Sequence, residues 1–561
     1  MNQEINKKFN RPDWRRWIYV VLYLCLCGHA VASAEKLSLG VAERHYGQWR
    51  ELSFEIAIIE ARGLERNERG ITLADLRKRY QKKRLKVKAE LSSLAHAKLS
   101  VDDRKAMAYM QTQLDLAEAE TVASARAPAC AIELLDRANV GNSYEQLSAN
   151  LYACYGAAAG SIATPDGTMD RLSVLSRLAS EPDSEVRRAF WLSLQPVWKS
   201  INGNNGETSP YRHLIGLSAA RWRVTGSPIA LAAQSLGLDP AQTESTLEAI
   251  LATWRDRSPK ELVEPWDWYY QNYAVNRFLA KYVPKDRLRE LNTRYYRSMG
   301  ADPDQLGIHF DLEPRVGKTP VAFAQFAIPA RLRQGVYGGS KSWIFANYRE
   351  GGFDNLVELL HETGHAIHIS AIATRPAYAD WPDSDPFTEA IADVTALEAY
   401  DGGWQQKFLG IAADADVSLR GKHAGTVMDI AWALFELRMH RDPSADPNLI
   451  WSTITQEYLR IAPHSEYAWW AMRGQLVEVP GYMMNYALGA ILSAALRERV
   501  RELHGPFRTT NAGMYSYLRQ GLYRFGLERP ARQVVEDFLG KSLNARALIA
   551  EIEQLSRPAA Q

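Results

Sequence analysis

Cysteine is scarce in this chain: there are four among 561 residues and no C-x-x-C pair. That sets aside a cysteine-based metal knuckle or a thioredoxin-like redox centre. An excess of one charge is missing as well. Lys and Arg total 67 against 65 Asp and Glu, a formal net charge of +2. A nucleic-acid footprint or a strongly acidic partner is therefore not indicated. No fixed-period repeat and no low-complexity tract interrupts the chain, and strand-like sequence is sparse. What remains is an ordinary globular composition, 46% apolar and 24% charged, with 16 Trp and 26 Tyr. The length calls for two or more lobes.

One stretch departs from that texture. Lys7, Lys8, Arg11, Arg15 and Arg16 precede an apolar run from Trp17 to Cys27, and Ala32-x-Ala34 follows. A basic segment, a short apolar segment and an A-x-A ending are the marks of a secretory signal peptide over residues 1–34. An exported protein, periplasmic or secreted, is expected, with no stable membrane insertion after cleavage. The alternative is an uncleaved anchor, for which the run is short. Cleavage would leave Cys130 and Cys154 as the remaining cysteines. In an oxidising compartment they would close one disulfide worth about 3 kcal/mol; otherwise they are two free thiols.

Helical periodicity dominates the rest. Leu73, Leu76, Tyr80, Val87, Leu91 and Leu94 form a helical stripe, and eight basic residues lie between Arg77 and Lys88. Such a run reads as the solvated face of a long helix rather than a nucleic-acid or lipid contact. Near residue 255 the texture shifts toward aromatics, in "EPWDWYYQNY". That places a helical N-terminal lobe over 35–255 and a second lobe over 256–561. Pro320 to Ala330, "PVAFAQFAIPA", has strand composition. The predicted fold is mainly α: two helical lobes with a small sheet beside the key helix.

That helix is "FDNLVELLHETGHAIHIS", with Asp354 as its expected N-cap. His361 and His365 stand four apart and share one face, so both imidazoles can meet one Zn²⁺ from the same side. Glu362 is displaced by about 100° around the helix, where it can address the ion's water rather than the ion. A catalytic zinc needs a third protein ligand. "SDPFTEAIADVTALEAY" reads as a second helix, capped by Asp385 with Pro386 first. On it Glu389, 24 residues after His365, can supply that ligand. Asp393, one turn on, can hold the far N–H of a ligand histidine. Small Ala390, Ala392 and Ala396 would let the helices approach closely.

"HETGHAIH" followed by "FTEAIAD" resembles the zinc peptidases whose third ligand is a glutamate on the next helix. The chain is most similar to the thimet oligopeptidase family, and "EAIAD" also resembles the angiotensin-converting enzyme family. The similarity runs from about Glu264 to Ala490 and includes His368, at the family's extra histidine seven residues after the first. The resemblance implies that the two lobes stand around a deep cleft, with one Zn²⁺ per chain held by His361, His365 and Glu389, and with Asp393 and His368 around them. It further implies that Tyr482 and Tyr486, from "VPGYMMNYALGAIL", hydrogen-bond the tetrahedral intermediate. Two departures stand out. The family has a third tyrosine where this chain has Gly489, and a histidine where it has Val477; Arg473, Glu478 and His464 are the nearby substitutes.

The expected activity is zinc-dependent hydrolysis of short peptides by a metal-activated water, with Glu362 as proton carrier and no nucleic-acid partner. The rival reading is a non-catalytic, metal-containing binder of peptides or partners on the same fold. A scaffold with incidental histidines is a further alternative. The sequence leaves endopeptidase and dipeptidyl carboxypeptidase modes, and the oligomeric state, undecided.

Overall fold

The computed structural model describes residues 37–124, 130, 143–206, 208–315, 317–319, 321–333, 336–507 and 512–557. The expected signal segment lies outside them. The protein is mainly helical, with three small sheets. No helix among the described residues is long and apolar enough to cross a membrane.

The first three helices among the described residues are α1 (Leu39–Ala61), α2 (Leu73–Ser93) and α3 (Val101–Ser124). Tyr46, Trp49, Val87, Leu91, Met110 and Leu114 pack between them. Most basic residues of α2 face outward, while Arg84 is buried; several pair with acids of α1, α2 and α3: Arg77 with Glu60, Arg84 and Lys88 with Glu118, Lys86 with Glu90. The run is a solvated helix face. Arg375 forks onto Glu43 at 2.8 Å and so ties α1 to the rest of the protein.

A second core is continuous from Leu147 to Leu555 and crosses residue 255, where helix Thr243–Asp256 ends. Cys130 and Cys154 are disulfide-bonded.

Strand pairs β1–β2 (Ile162–Thr164, Gly167–Met169) and β5–β6 (Leu332–Arg333, Val336–Tyr337) are small hairpins. The third sheet has the order β3 (His309–Asp311), β7 (Lys341–Phe345), β4 (Phe323–Ile328). The expected strand over 320–330 is β4. It pairs antiparallel with β7 and forms an edge of the sheet.

Four helices complete the frame of the cavity: α4 (Phe353–Ala371), α5 (Asp385–Ala396), α6 (Ala415–Arg441) and α7 (Met483–His504). Their starts differ from expectation by a residue or two. Gly352, not Asp354, precedes α4, at φ 123°, a conformation that suits glycine; Asp354 falls in the first turn. The cap of α5 is Ser384, whose hydroxyl accepts the Phe387 N–H at 3.3 Å, so Asp385 and Pro386 lie inside the helix. The close approach of α4 and α5 rests on both surfaces. A Cβ at Gly364 would stand 2.7 Å from Ala392 Cα. The glycine inside "HETGH" therefore matters as much as the alanines opposite.

Candidate active site

α4 and α5 bring three donor residues together. His361, His365 and Glu389 each offer a ligand atom, and these atoms lie within 4.8 Å of one another. Glu389 Oε2 is 3.7 Å from His361 Nε2 and 4.0 Å from His365 Nε2. Donors around a tetrahedral zinc, at about 2.1 Å each, stand about 3.4 Å apart, so two imidazoles and a carboxylate at this spacing suit such an ion. Asp393 Oδ1 is 2.8 Å from His361 Nδ1. With Nδ1–H donating to Asp393, the Nε2 lone pair faces the donor cluster.

The electrostatics are those of a buried, proton-sharing group. Burial works against a charged His361, yet the charge and hydrogen bond of Asp393, with Glu362 and Glu389 nearby, raise it to about 10. Burial pushes Glu362 up to about 8 and Glu389 up to about 7, each partly offset by His361. His365, buried beside His361, is held neutral. Buried polar atoms normally have partners. Here Glu362 Oε2 and His365 Nδ1 have none among the described residues.

These side chains line a cavity of about 610 Å³. β4 and the residue before it form one wall, through Ala322, Phe323 and Ala324. Tyr482 and Tyr486 form another, their rings 5.5 Å apart and edge to face; the Tyr482 hydroxyl donates to Glu389 Oε1 at 3.4 Å. The departures from the family pattern have physical reasons. A Cβ at Gly489 would lie 3.2 Å from Pro386 O and 3.3 Å from Glu389 Cβ, so a larger side chain there would have to press α5 back by a few tenths of an ångström. Val477 is fully buried, and its carbonyl accepts the Ser148 hydroxyl, so it does not face the cavity. Among its proposed substitutes, His464 bonds Glu264 and Glu466, while Arg473 pairs with Asp429. Neither these two nor Glu478 lines the cavity.

His368 does not join the donor cluster. It is fully buried among Trp381, Phe387 and Tyr523, and neither ring nitrogen has a hydrogen-bond partner among the described residues. Burial lowers it to about 3, so it serves as a neutral aromatic spacer. Several lining residues escaped the sequence reading, Trp381, Tyr400, Lys422 and Asp429, and Asp385 was read only as a cap; Tyr273, the last residue of the aromatic stretch "EPWDWYYQNY", also lines the cavity. Asp385 alone carried a local signal, because it continues the four-residue spacing of Glu389 and Asp393. Gly425 gives Tyr273 its room, since a Cβ there would sit 3.3 Å from the tyrosine oxygen.

No family model matches the sequence, and no curated protein matches it. Solved structures do. An X-ray structure described as an oligoendopeptidase F superposes with TM-score 0.59 at 15% identity, covering 98% of this chain and 97% of that one. PZ peptidase A with an inhibitor gives TM-score 0.57 at 14% identity, covering 98% and 97%. The chain thus shares its fold, end to end, with two peptidases.

Proposed function

We propose that the protein is a zinc-dependent oligopeptidase, cutting peptide bonds in short or unstructured peptides. The observation that carries this reading is the convergence of His361, His365 and Glu389 within 4.8 Å, in a cavity lined also by Glu362 and two tyrosines. The shared fold with two peptidases supports it.

His361, His365 and Glu389 would hold one zinc ion, which when bound supplies Lewis acidity and lowers the pKa of a water toward about 7. Asp393 keeps His361 in the tautomer that presents Nε2. Glu362 takes the proton of the attacking water, its unpartnered Oε2 being free for the task, and returns it to the leaving amine. The Tyr486 hydroxyl donates to the oxyanion of the tetrahedral intermediate, and Tyr482 orients Glu389 and the substrate. β4, an edge strand with Phe323 and Ala324 on the cavity, can align an extended peptide by adding it to the sheet.

Export belongs to the same reading: the signal-like segment accounts for the first 34 residues, and the Cys130–Cys154 disulfide suits an oxidising compartment. Peptide trimming outside the cytosol is the role that follows.

The deciding experiment incubates the mature protein with a mixed peptide library, with and without a chelator, and maps cuts by mass spectrometry while metal content is measured. Cleavage that chelation abolishes and zinc restores supports the proposal. Zinc near one equivalent without any cleavage would favour the binding protein instead, a reading that Gly489 and the absence of a third tyrosine hydroxyl at that wall motivate. Absence of zinc would sink both.

A further inference from the structure

Helix α7 carries both tyrosines of the cavity wall, yet it begins without a side-chain cap of its own. Tyr482 stands at its N-cap position and makes no capping hydrogen bond. The first N–H groups of a helix have no partner inside it and must find one elsewhere. Here a carboxylate from another helix supplies it. Glu436, near the end of α6, is fully buried. Its Oε1 accepts the Gly481 N–H at 2.7 Å and its Oε2 accepts the Met483 N–H at 2.9 Å. The N–H between them, that of Tyr482, goes to Val479 O at 2.9 Å. One side chain thus grips the backbone on both sides of Tyr482.

A carboxyl group is a costly choice for a buried position, and this one has no cation partner among the described residues. Burial pushes it up to about 8, with only the two backbone N–H groups pulling the other way. His440, one turn on, bonds the Glu436 carbonyl through Nδ1 at 2.8 Å and is kept neutral by burial. The far side of the turn is closed as well. Gly481 takes φ 94°, and a Cβ there would stand 3.0 Å from the Trp222 ring, which stacks on His440 at 3.8 Å.

The cavity wall starts from this anchor. The Tyr482 hydroxyl reaches Glu389 Oε1 at 3.4 Å, and the Tyr486 ring lies edge-on to that of Tyr482 at 5.5 Å. A shift in the first turn of α7 would carry both hydroxyls with it. Misplacing by about 1 Å a group that must meet a transition state can cost about 10²-fold in rate.

On the peptidase reading above, we propose that Glu436 is a positioning residue: by bracketing Tyr482 it sets the hydroxyls of Tyr482 and Tyr486 against the donor cluster, without itself lining the cavity.

Two variants test it. Glu436→Gln keeps the shape but offers one acceptor; Glu436→Asp keeps the acid but is one methylene short of reaching both N–H groups. Melting curves fix a temperature at which each is folded. There kcat on a cleaved peptide should fall about ten-fold, with KM within about two-fold and zinc content near wild type. Added to Tyr486→Phe, the same changes should cost less than about two-fold, because the hydroxyl they position is gone. An unchanged kcat, an equal loss in both backgrounds, or failure of both variants to fold would assign Glu436 to stability alone and overturn the proposal. A second measurement needs no turnover. With 3-fluorotyrosine at position 486, the ¹⁹F resonance should move in Glu436→Gln; a resonance that stays in place would also overturn it. If wild type cuts no peptide, the peptidase reading fails, and the resonance still decides whether Glu436 sets the tyrosine wall.

Discussion

Two clusters of ionisable groups treat their charges differently: one is built on α4 and α5, the other on α6, α7 and the short helices Leu397–Tyr400 and Arg546–Glu553. Behind the cavity, Arg497 contacts Glu398 at 2.8 Å and Glu551 at 3.4 Å. Arg501 reaches the same two carboxylates, and Lys422 closes on Glu551. Three cations meet two buried acids and these five groups are all paired, while the adjacent His423 has no hydrogen-bond partner among the described residues for either ring nitrogen. In the cavity, His361, His365, Glu362 and Glu389 face one another with two buried atoms unpartnered. Burial is comparable; satisfaction is not. A buried ion network that closes on itself holds helices in register, whereas the cavity set presents converging ligand atoms on the wall of a cavity.

The sharpest way to probe that contrast is Glu362→Gln. Turnover should fall about 10³- to 10⁴-fold, while zinc content and melting temperature stay near wild type. Loss of zinc in this variant would mean that Glu362 is a ligand rather than a proton carrier. Tyr486→Phe comes next, with an expected loss of about 10²- to 10³-fold in kcat and little change in KM. A rise in KM alone would reassign the hydroxyl to substrate binding. Asp393→Asn should weaken zinc affinity about 10- to 100-fold, with activity recovered as zinc is added back.

The smallest expected effect on turnover comes from the closed network. Glu551→Gln should leave kcat within about two-fold at temperatures where the protein is folded, yet lower stability by about 3 kcal/mol. A matching loss of kcat would erase the distinction between the clusters. The network also has a pH signature. Burial alone would raise the Glu551 carboxyl, but Arg497, Lys422 and His423 hold it well below the usual carboxylate range. With the folded-state pKa depressed, its contribution is present above the ordinary Glu value of about 4.3 and is lost as pH falls below it. Melting temperature against pH should show that acid-side loss in wild type and a smaller one in Glu551→Gln.

The site was legible where its logic is local. Two histidines four apart, a glutamate beside the first, and a second acidic pair four apart are statements about helical period. α4 and α5 place those residues as the period dictates. His368 shows where such logic stops. Seven residues after His361 it returns to nearly the same face, but it lies about 10 Å farther along the axis and its neighbours are Trp381, Phe387 and Tyr523. Its surroundings are contributed by distant segments that no local spacing announces. Tyr400 and Asp429 went unnoticed for the same reason, since each reaches the cavity from a different part of the chain.

The sequence by itself determined the helical class, the paired donor spacings and a strand before α4, because periodicity and composition act over a few residues. Only the tertiary structure decided that Gly364 lets α5 lie against α4, that Gly489 sits in tight contact with α5, and that His368 is walled off among Trp381, Phe387 and Tyr523. Those outcomes depend on which surfaces meet, and contact between segments far apart in the chain is a property of packing.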